Sequence, residues 1–194
     1  MPLRVIAGSA RGRRLKPVPG DSTRPIMDRV KEALFSILGT FVHGSRFLDL
    51  FGGTGSVGIE ALSRGAAHAV FCEMNRAALH TLIDNLEHTQ LADRADVRAI
   101  NAFDFLQRVP DTAFDYIYIA PPQYQGLWRK SLELLDANPD WLDREGIIVV
   151  QIHPREQEQI TLAHLVPYDE RRYGNTLLWF FERRDASDNA DDVS

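Results

Sequence analysis

The chain is predicted to fold as a doubly wound α/β domain, and three observations carry that expectation. Apolar strand patterns alternate with helical ones from Arg46 to Ile152, the order that a mostly parallel sheet covered by helices requires. A glycine-rich run, Asp49-Leu50-Phe51-Gly52-Gly53-Thr54-Gly55-Ser56-Val57-Gly58, joins the first of these strands to the first of these helices. Ile147–Ile152 is a continuous apolar run, as expected of a strand covered on both faces. With 194 residues, 25% charged and 44% hydrophobic, the chain has the length of one domain with a small appendage and the composition of a soluble globular protein.

Residues 3–7 and 14–18 read as short strands around Gly8-Ser9-Ala10-Arg11-Gly12-Arg13, a β-hairpin. Beyond Pro17, Pro19 and Gly20 a helix is expected over 26–38, with Val30, Ala33, Leu34, Ile37 and Leu38 as its apolar stripe. Strand Phe47–Phe51, helix Val57–Arg64 and strand Ala69–Glu73 follow. The next helix, Asn75–Thr89, has Ala78, Leu79, Leu82, Ile83 and Leu86 on one face. Strands Asp96–Ile100 and Phe114–Ile119, a helix over 127–136 and the apolar run complete the alternation. Segments 164–170 and 176–182 are joined through Tyr173-Gly174-Asn175, too closely for a crossover, and are expected as an antiparallel pair at the sheet edge. The organisation expected is therefore a basic arm over 1–24, the α/β domain over 25–184 and an acidic, disordered tail over 185–194.

The net charge of −5 hides a polarity: residues 1–31 carry eight basic groups against Asp21 and Asp28, and the remainder sums to −11. A basic arm on an acidic body suits a polyanion such as nucleic acid, because phosphate contacts draw on local charge. No apolar run approaches the roughly 20 residues of a membrane span, and the N-terminus lacks the apolar stretch of a secretory signal. Cys72 is the single cysteine, so no internal disulfide can form; a cytoplasmic monomer without a metal is expected, with Cys72 a small core residue.

In open α/β sheets ligands collect at the carboxyl ends of the strands. Asp49 and Phe51–Gly55 end the first predicted strand and Glu73 the second. Asn101 and Ala102 follow the third, and Ala120-Pro121-Pro122-Gln123-Tyr124 follows the fourth. Gly53-x-Gly55-x-x-Gly58 fits a dinucleotide fingerprint, with Glu73 placed 18 residues beyond Gly55 as a ribose-binding acid. Asp49, however, would repel a pyrophosphate and suits an amine-bearing cofactor. S-adenosylmethionine offers an amine, a ribose diol for Glu73 and an adenine for Asn101. Pro121 and Pro122 donate no N–H, so this stretch presents carbonyl acceptors. Such acceptors can grip the hydrogens of an exocyclic base amine while an adjacent aromatic stacks the base. A methyltransferase acting on a nucleobase amine is the reading that uses all these features; a nicotinamide dehydrogenase is the rival.

The sequence resembles the RsmD family, S-adenosylmethionine-dependent enzymes of the Rossmann-like class I methyltransferase fold that modify the 2-amino group of a guanine in small-subunit (16S) ribosomal RNA. The likeness spans about residues 3–182 and rests on four stretches: Arg4–Leu15, Thr23–Leu38, Asp49–Gly55 continued by Gly58–Ala66, and Arg172-Tyr173-Gly174-Asn175-Thr176. The resemblance implies cofactor contacts at Asp49, Phe51, Gly53, Gly55, Glu73, Asn101 and Ala102. It implies contacts to 16S rRNA, or to the small subunit or an assembly intermediate, at Arg11, Arg13, Arg14, Thr23 and Arg24. Asn101 stands where the family usually has an acid. The catalytic loop also departs from the family's usual Asp-Pro-Pro-aromatic: here Ala120 lacks the carboxylate, and Gln123 displaces the aromatic to Tyr124. The carbonyls of Ala120 and Pro121 are then expected to take the amine, with Gln123 supplying an amide oxygen and Tyr124 stacking the base. Two alternatives stay open: another amine, such as adenine in RNA or DNA, or a catalytically weak RNA-binding or ribosome-assembly protein.

Overall fold

The computed structural model describes residues 3–20 and 26–184; Thr23, Arg24 and the acidic tail lie outside them. The order is α1 (Asp28–Leu38), β1 (Arg46–Asp49), α2 (Ser56–Ser63), β2 (His68–Cys72), α3 (Arg76–Thr89), β3 (Ala95–Arg98), α4 (Ala102–Leu106), β4 (Phe114–Ile119), α5 (Leu127–Ala137), β5 (Leu142–Ile152), β6 (Leu165–Tyr173) and β7 (Thr176–Arg183). One sheet runs β3-β2-β1-β4-β5-β7-β6. Strands β1 to β5 are parallel; β7 lies antiparallel between β5 and β6. The fold is the doubly wound α/β sheet with an antiparallel edge that the strand–helix alternation predicts. After β3 the chain returns to the other side of β1, so the switch point opens between β1 and β4.

Two apolar layers sandwich the sheet. One gathers Val30, Leu34 and Phe35 of α1, Leu62 of α2, Leu82 and Leu86 of α3, and Val5 and Leu15 of the N-terminal segment. The other gathers Leu106 of α4, Leu132 and Leu135 of α5, and Trp128, Trp141 and Trp179. Among the described residues, no helix is long and apolar enough to cross a membrane.

Several elements differ from expectation. On α1 the buried face is Val30, Lys31, Leu34, Phe35 and Leu38, whereas Ile37 is exposed. The stripe rotates because Lys31 finds buried acceptors and Phe35 stacks on Phe47, with the Arg64 guanidinium also over the Phe35 ring. On α3, Ile83 is exposed while Thr81, Asn85 and Thr89 are buried, and both threonine hydroxyls donate to carbonyls one turn back. Helix α4 is additional to the expected elements, since five residues are too few to show a period.

The hairpin reduces to a single bridge, Arg4 with Arg14. The Val5, Gly12 and Leu15 N–H groups donate across the hairpin to the carbonyls of Arg13, Val5 and Leu3, and further groups between them are satisfied by α2. The Ile6 and Ala7 N–H groups donate to the Glu60 carboxylate (2.8 and 3.0 Å), the Ser9 N–H to the Ser63 carbonyl (2.8 Å), and the Ala10 N–H to Ser63 Oγ (2.9 Å). Gly8, at φ +85°, makes that approach possible: a Cβ there would sit 1.8 Å from the Ser63 carbonyl oxygen. The arm is thus fastened to the helix that follows the glycine loop.

Candidate active site

Sheet register brings the predicted residues to one rim. Asp49 is level with Phe71 on β2 and with Tyr118 on β4. The Gly52 N–H donates to the Cys72 carbonyl and the Glu73 N–H to that of Arg98, so the three strands end together. A cavity of about 100 Å³ opens there, lined by Phe51, Glu73, Met74, Asn101 and Ala102 over a floor of Leu50, Cys72 and Ile100. Phe51 meets Phe103 edge-on, with ring centroids 6.3 Å apart, and the Lys130 ammonium lies 4.2 Å over the Phe103 ring.

Glu73 ties this rim together. One carboxylate oxygen accepts the Gly53 N–H at 2.8 Å and the other the Asn75 N–H at 2.7 Å, which leaves each oxygen a further lone pair. Asn101 caps α4: its Oδ1 accepts the Phe103 N–H at 2.8 Å, so its amide NH₂ is the group left to donate. The Ala102 N–H, first in that helix, has no intrahelical acceptor.

The glycines divide by cause. Gly55 caps α2 at φ +79°, and a Cβ would lie 2.2 Å from Leu82 Cδ1. A Cβ on Gly58 would lie 2.2 Å from the Phe71 ring. Gly55 thus lets Leu82 of α3 pack against the loop, and Gly58 lets α2 pack on β2. Gly53 has φ +54° but meets nothing closer than 4.0 Å, so it serves the turn and leaves open space beside the cavity.

Asp49 is 2% exposed. Its Oδ2 lies 3.4 Å from the Gly58 N, and its Oδ1 has no hydrogen-bond partner among the described residues. Burial, reinforced by the charge of Glu73, holds this carboxyl well above the usual carboxylate range. Burial and Asp49 also push up the Tyr118 hydroxyl, which donates to Gln151 on β5. An orphaned acceptor buried at a strand end, one residue before the cavity-lining Leu50, calls for a ligand donor.

At the end of β4, Ala120 is half-buried against the core and Pro121 is buried, while Pro122, Gln123 and Tyr124 are exposed. Tyr124 has φ +60°, a left-handed conformation costing a non-glycine residue about 1–2 kcal/mol. Its N–H donates to Glu156 Oε1 at 2.7 Å, and Glu156 Oε2 accepts the His153 N–H at 3.0 Å. A hydrogen bond to a charged group is worth roughly 1.5–3 kcal/mol, enough to hold the turn. The Tyr124 and His153 rings lie 5.7 Å apart. Neither His153 nor Glu156 is among the residues the sequence singles out; the signal available is His153-Pro154-Arg155-Glu156 directly after β5, another strand end on the same rim.

The arm's cations divide likewise. Arg11 and Arg14 are exposed and in no ion pair among the described residues. Arg13 instead donates to the His88 carbonyl (2.5 Å) and Gln90 Oε1 (3.0 Å) at the end of α3. Arg4 pairs with Asp28 and Lys16 with Asp84. Among the described residues, no group of three His, Cys, Asp or Glu side chains could hold a metal ion.

A family model described as Conserved hypothetical protein 95, the RsmD family, matches residues 3–182. The chain belongs to this family. Ribosomal RNA small subunit methyltransferase D of Escherichia coli (strain K12) is 41% identical over 150 residues, covering 77% of this chain and 74% of that protein. The solved structure of yhhF from Escherichia coli matches 96% of this chain and 99% of its own at 35% identity and a TM-score of 0.83. An RNA methyltransferase from Salinibacter ruber, solved in complex with S-adenosyl-L-homocysteine, shares the fold: TM-score 0.62 at 14% identity, covering 82% of this chain and 93% of that one. Within the RsmD frame, the methyl group of Ala120 stands where the resemblance leads one to expect an acid.

Proposed function

We propose that this chain transfers the methyl group of S-adenosylmethionine to the exocyclic 2-amino group of a guanine in small-subunit (16S) ribosomal RNA. The observation that carries the reading is the shared rim. Glu73 and Asn101 line one cavity, the unpartnered Asp49 oxygen lies at the end of β1 one residue before the cavity-lining Leu50, and the Pro121-Pro122 loop leaves the neighbouring strand at the same end of the sheet. The names of the relatives support ribosomal RNA of the small subunit as the substrate.

The residues present fit the cofactor. Asp49 offers a buried acceptor to its amine, Glu73 offers lone pairs to the ribose diol, and the Asn101 amide and Ala102 N–H offer donors to the adenine ring nitrogens. When bound, S-adenosylmethionine supplies an electrophilic methyl group on a sulfonium. The chain's own part is orientation. Carbonyls of Ala120 and Pro121 and the Gln123 amide oxygen hold the amine hydrogens so that the nitrogen lone pair faces the methyl carbon. With the cofactor bound, the new N–C bond would form as the S–C bond breaks to leave S-adenosylhomocysteine, and one amine hydrogen would leave as a proton to solvent beside exposed Gln123. Tyr124 stacks the base, while residues 1–24 act as the RNA arm through Arg11 and Arg14, on the domain formed by 25–184.

The test is incubation with tritiated S-adenosylmethionine and small-subunit particles from a strain lacking the corresponding enzyme, followed by mass spectrometry of the labelled nucleoside. N2-methylguanosine is expected. Methylated adenosine would move the substrate to another amine. Ala120 favours a second reading, an RNA-binding assembly protein with weak turnover; S-adenosylhomocysteine and RNA binding without transferred label would select it.

A further inference from the structure

We propose that Glu156 is the positioning residue of the Pro121–Tyr124 loop, holding the Tyr124 ring where it meets the target base. This rests on the reading that Tyr124 stacks that base. Glu156 lies 32 residues beyond Tyr124, in the turn after β5, and β5 is the strand beside β4. Its single carboxylate accepts one N–H from each of two rim loops, Tyr124 of the first and His153 of the second. Glu156 is only 8% exposed, so this carboxylate is buried for the sake of those two backbone donors.

The geometry gives the bond a consequence for the ring. At φ +60° the Tyr124 backbone sits where side chains other than glycine rarely go, and such conformations persist only when their surroundings enforce them. Without the acceptor, the backbone relaxes and the Cα–Cβ bond swings with it. Tyr124 is 63% exposed and its ring is tilted against the His153 ring, so it is open to a base from solvent. The left-handed residue also accounts for the loop's spacing. The aromatic comes one position later than in the pattern this chain resembles, and a reversal of the chain at that residue re-aims it. With Ala120 contributing no carboxylate, orientation of the base falls more heavily on this anchor.

The experiment compares wild type, Glu156→Ala, Glu156→Gln and Tyr124→Gly, alone and with Glu156→Ala combined with Tyr124→Gly. Methyl transfer to small-subunit particles is measured alongside S-adenosylhomocysteine affinity and thermal midpoint. Glu156→Ala is expected to lower kcat about tenfold or more while cofactor affinity stays within about twofold. Glu156→Gln, which keeps the shape and one acceptor oxygen, is expected to fall between, and it serves if Glu156→Ala folds poorly. In the Tyr124→Gly background, loss of Glu156 is expected to cause no further drop, because it acts through the ring. Wild-type turnover in Glu156→Ala, or a loss that adds in full to that of Tyr124→Gly, would overturn the proposal. If the wild type transfers no methyl, the proposed function fails by itself. A crystal structure of Glu156→Ala, or of Glu156→Gln if the former does not fold, then decides the present point: Tyr124 still left-handed overturns it, and Tyr124 relaxed supports it.

Discussion

Lys31 Nζ and Glu60 Oε2 lie 3.4 Å apart with neither side chain exposed to solvent. Around this pair the arm and the helix after the glycine loop are joined. Lys31 also donates to the Arg4 carbonyl at 2.6 Å and to Ser56 Oγ at 3.0 Å, Ser56 being the first residue of α2. Glu60 accepts from Ile6, Ala7 and Arg64 as well. Removing Lys31 leaves Glu60 its bond to Arg64 but takes the buried ammonium from Glu60, from the Arg4 carbonyl and from Ser56 Oγ; breaking a buried pair typically costs about 3–5 kcal/mol. Lys31→Met is therefore expected to lower the urea midpoint strongly. Adding Glu60→Leu to Lys31→Met is expected to lower it further, because the Ile6 and Ala7 N–H groups and the Arg64 guanidinium then lose their acceptor.

Burial pulls Lys31 below its ordinary 10.5, with Glu60 opposing the shift. Because the folded value lies below the unfolded one, the unfolded chain binds more protons in the window beneath 10.5. Stability therefore rises as pH rises through that window. Urea midpoints measured from neutral pH towards 10.5 are expected to show this rise relative to Lys31→Met, which lacks the Lys31 ammonium and keeps every other titrating group.

Asp49 shows the opposite sign. Its folded carboxyl is raised above the ordinary 3.8 by burial and then by Glu73, so the folded protein keeps a proton that the unfolded chain has lost. Stability is complete below 3.8 and is lost as pH rises through the folded value. At neutral pH Asp49→Asn is expected to raise the thermal midpoint of the cofactor-free protein by a few degrees, about 1 kcal/mol or more. The same change puts a neutral amide where a carboxyl could give up its proton and pair with the ligand's ammonium, so S-adenosylhomocysteine affinity by calorimetry is expected to fall roughly tenfold or more. Parallel loss of stability and affinity would remove Asp49 from the binding role.

What was legible in the sequence follows from what each element needs. Ile147–Ile152 and Phe114–Ile119 are apolar along their length because both sheet faces are covered, so composition alone reveals them. The turn glycines are legible because no other residue fits there. Lys31 and Asn85 were not, since a buried polar side chain looks like a surface one until its partners are known. Asn85 accepts from the Lys16 N–H and donates to the carbonyls of Lys16 and Thr54, joining segments 69 and 31 residues away. Glu156 was hidden for the same reason: its partner Tyr124 is local only in the folded sheet.

Gly8 tests whether the arm's seat on α2 matters. A Cβ there would fall 1.8 Å from the Ser63 carbonyl oxygen, in a backbone conformation with φ +85° that alanine resists. Gly8→Ala is expected to destabilise by about 1–3 kcal/mol. Hydrogen exchange is expected to quicken at Ser9 and Ala10, whose N–H groups bond Ser63.

The arm's arginines are expected to separate by role. Arg11 and Arg14 are exposed and unpaired among the described residues, so they are the cations left to meet phosphates. Arg11→Ala with Arg14→Ala is expected to weaken binding to 16S rRNA fragments and to flatten the dependence of log K on log salt by roughly 0.7–0.9 for each phosphate no longer neutralised. Cofactor affinity and thermal midpoint are expected to stay at wild-type values. Arg13→Ala should behave in reverse, because its guanidinium closes the end of α3 on His88 and Gln90. It is expected to lower the thermal midpoint and leave the salt slope unchanged. A salt slope that flattens equally with Arg13→Ala would show instead that Arg13 leaves α3 for a phosphate when RNA binds.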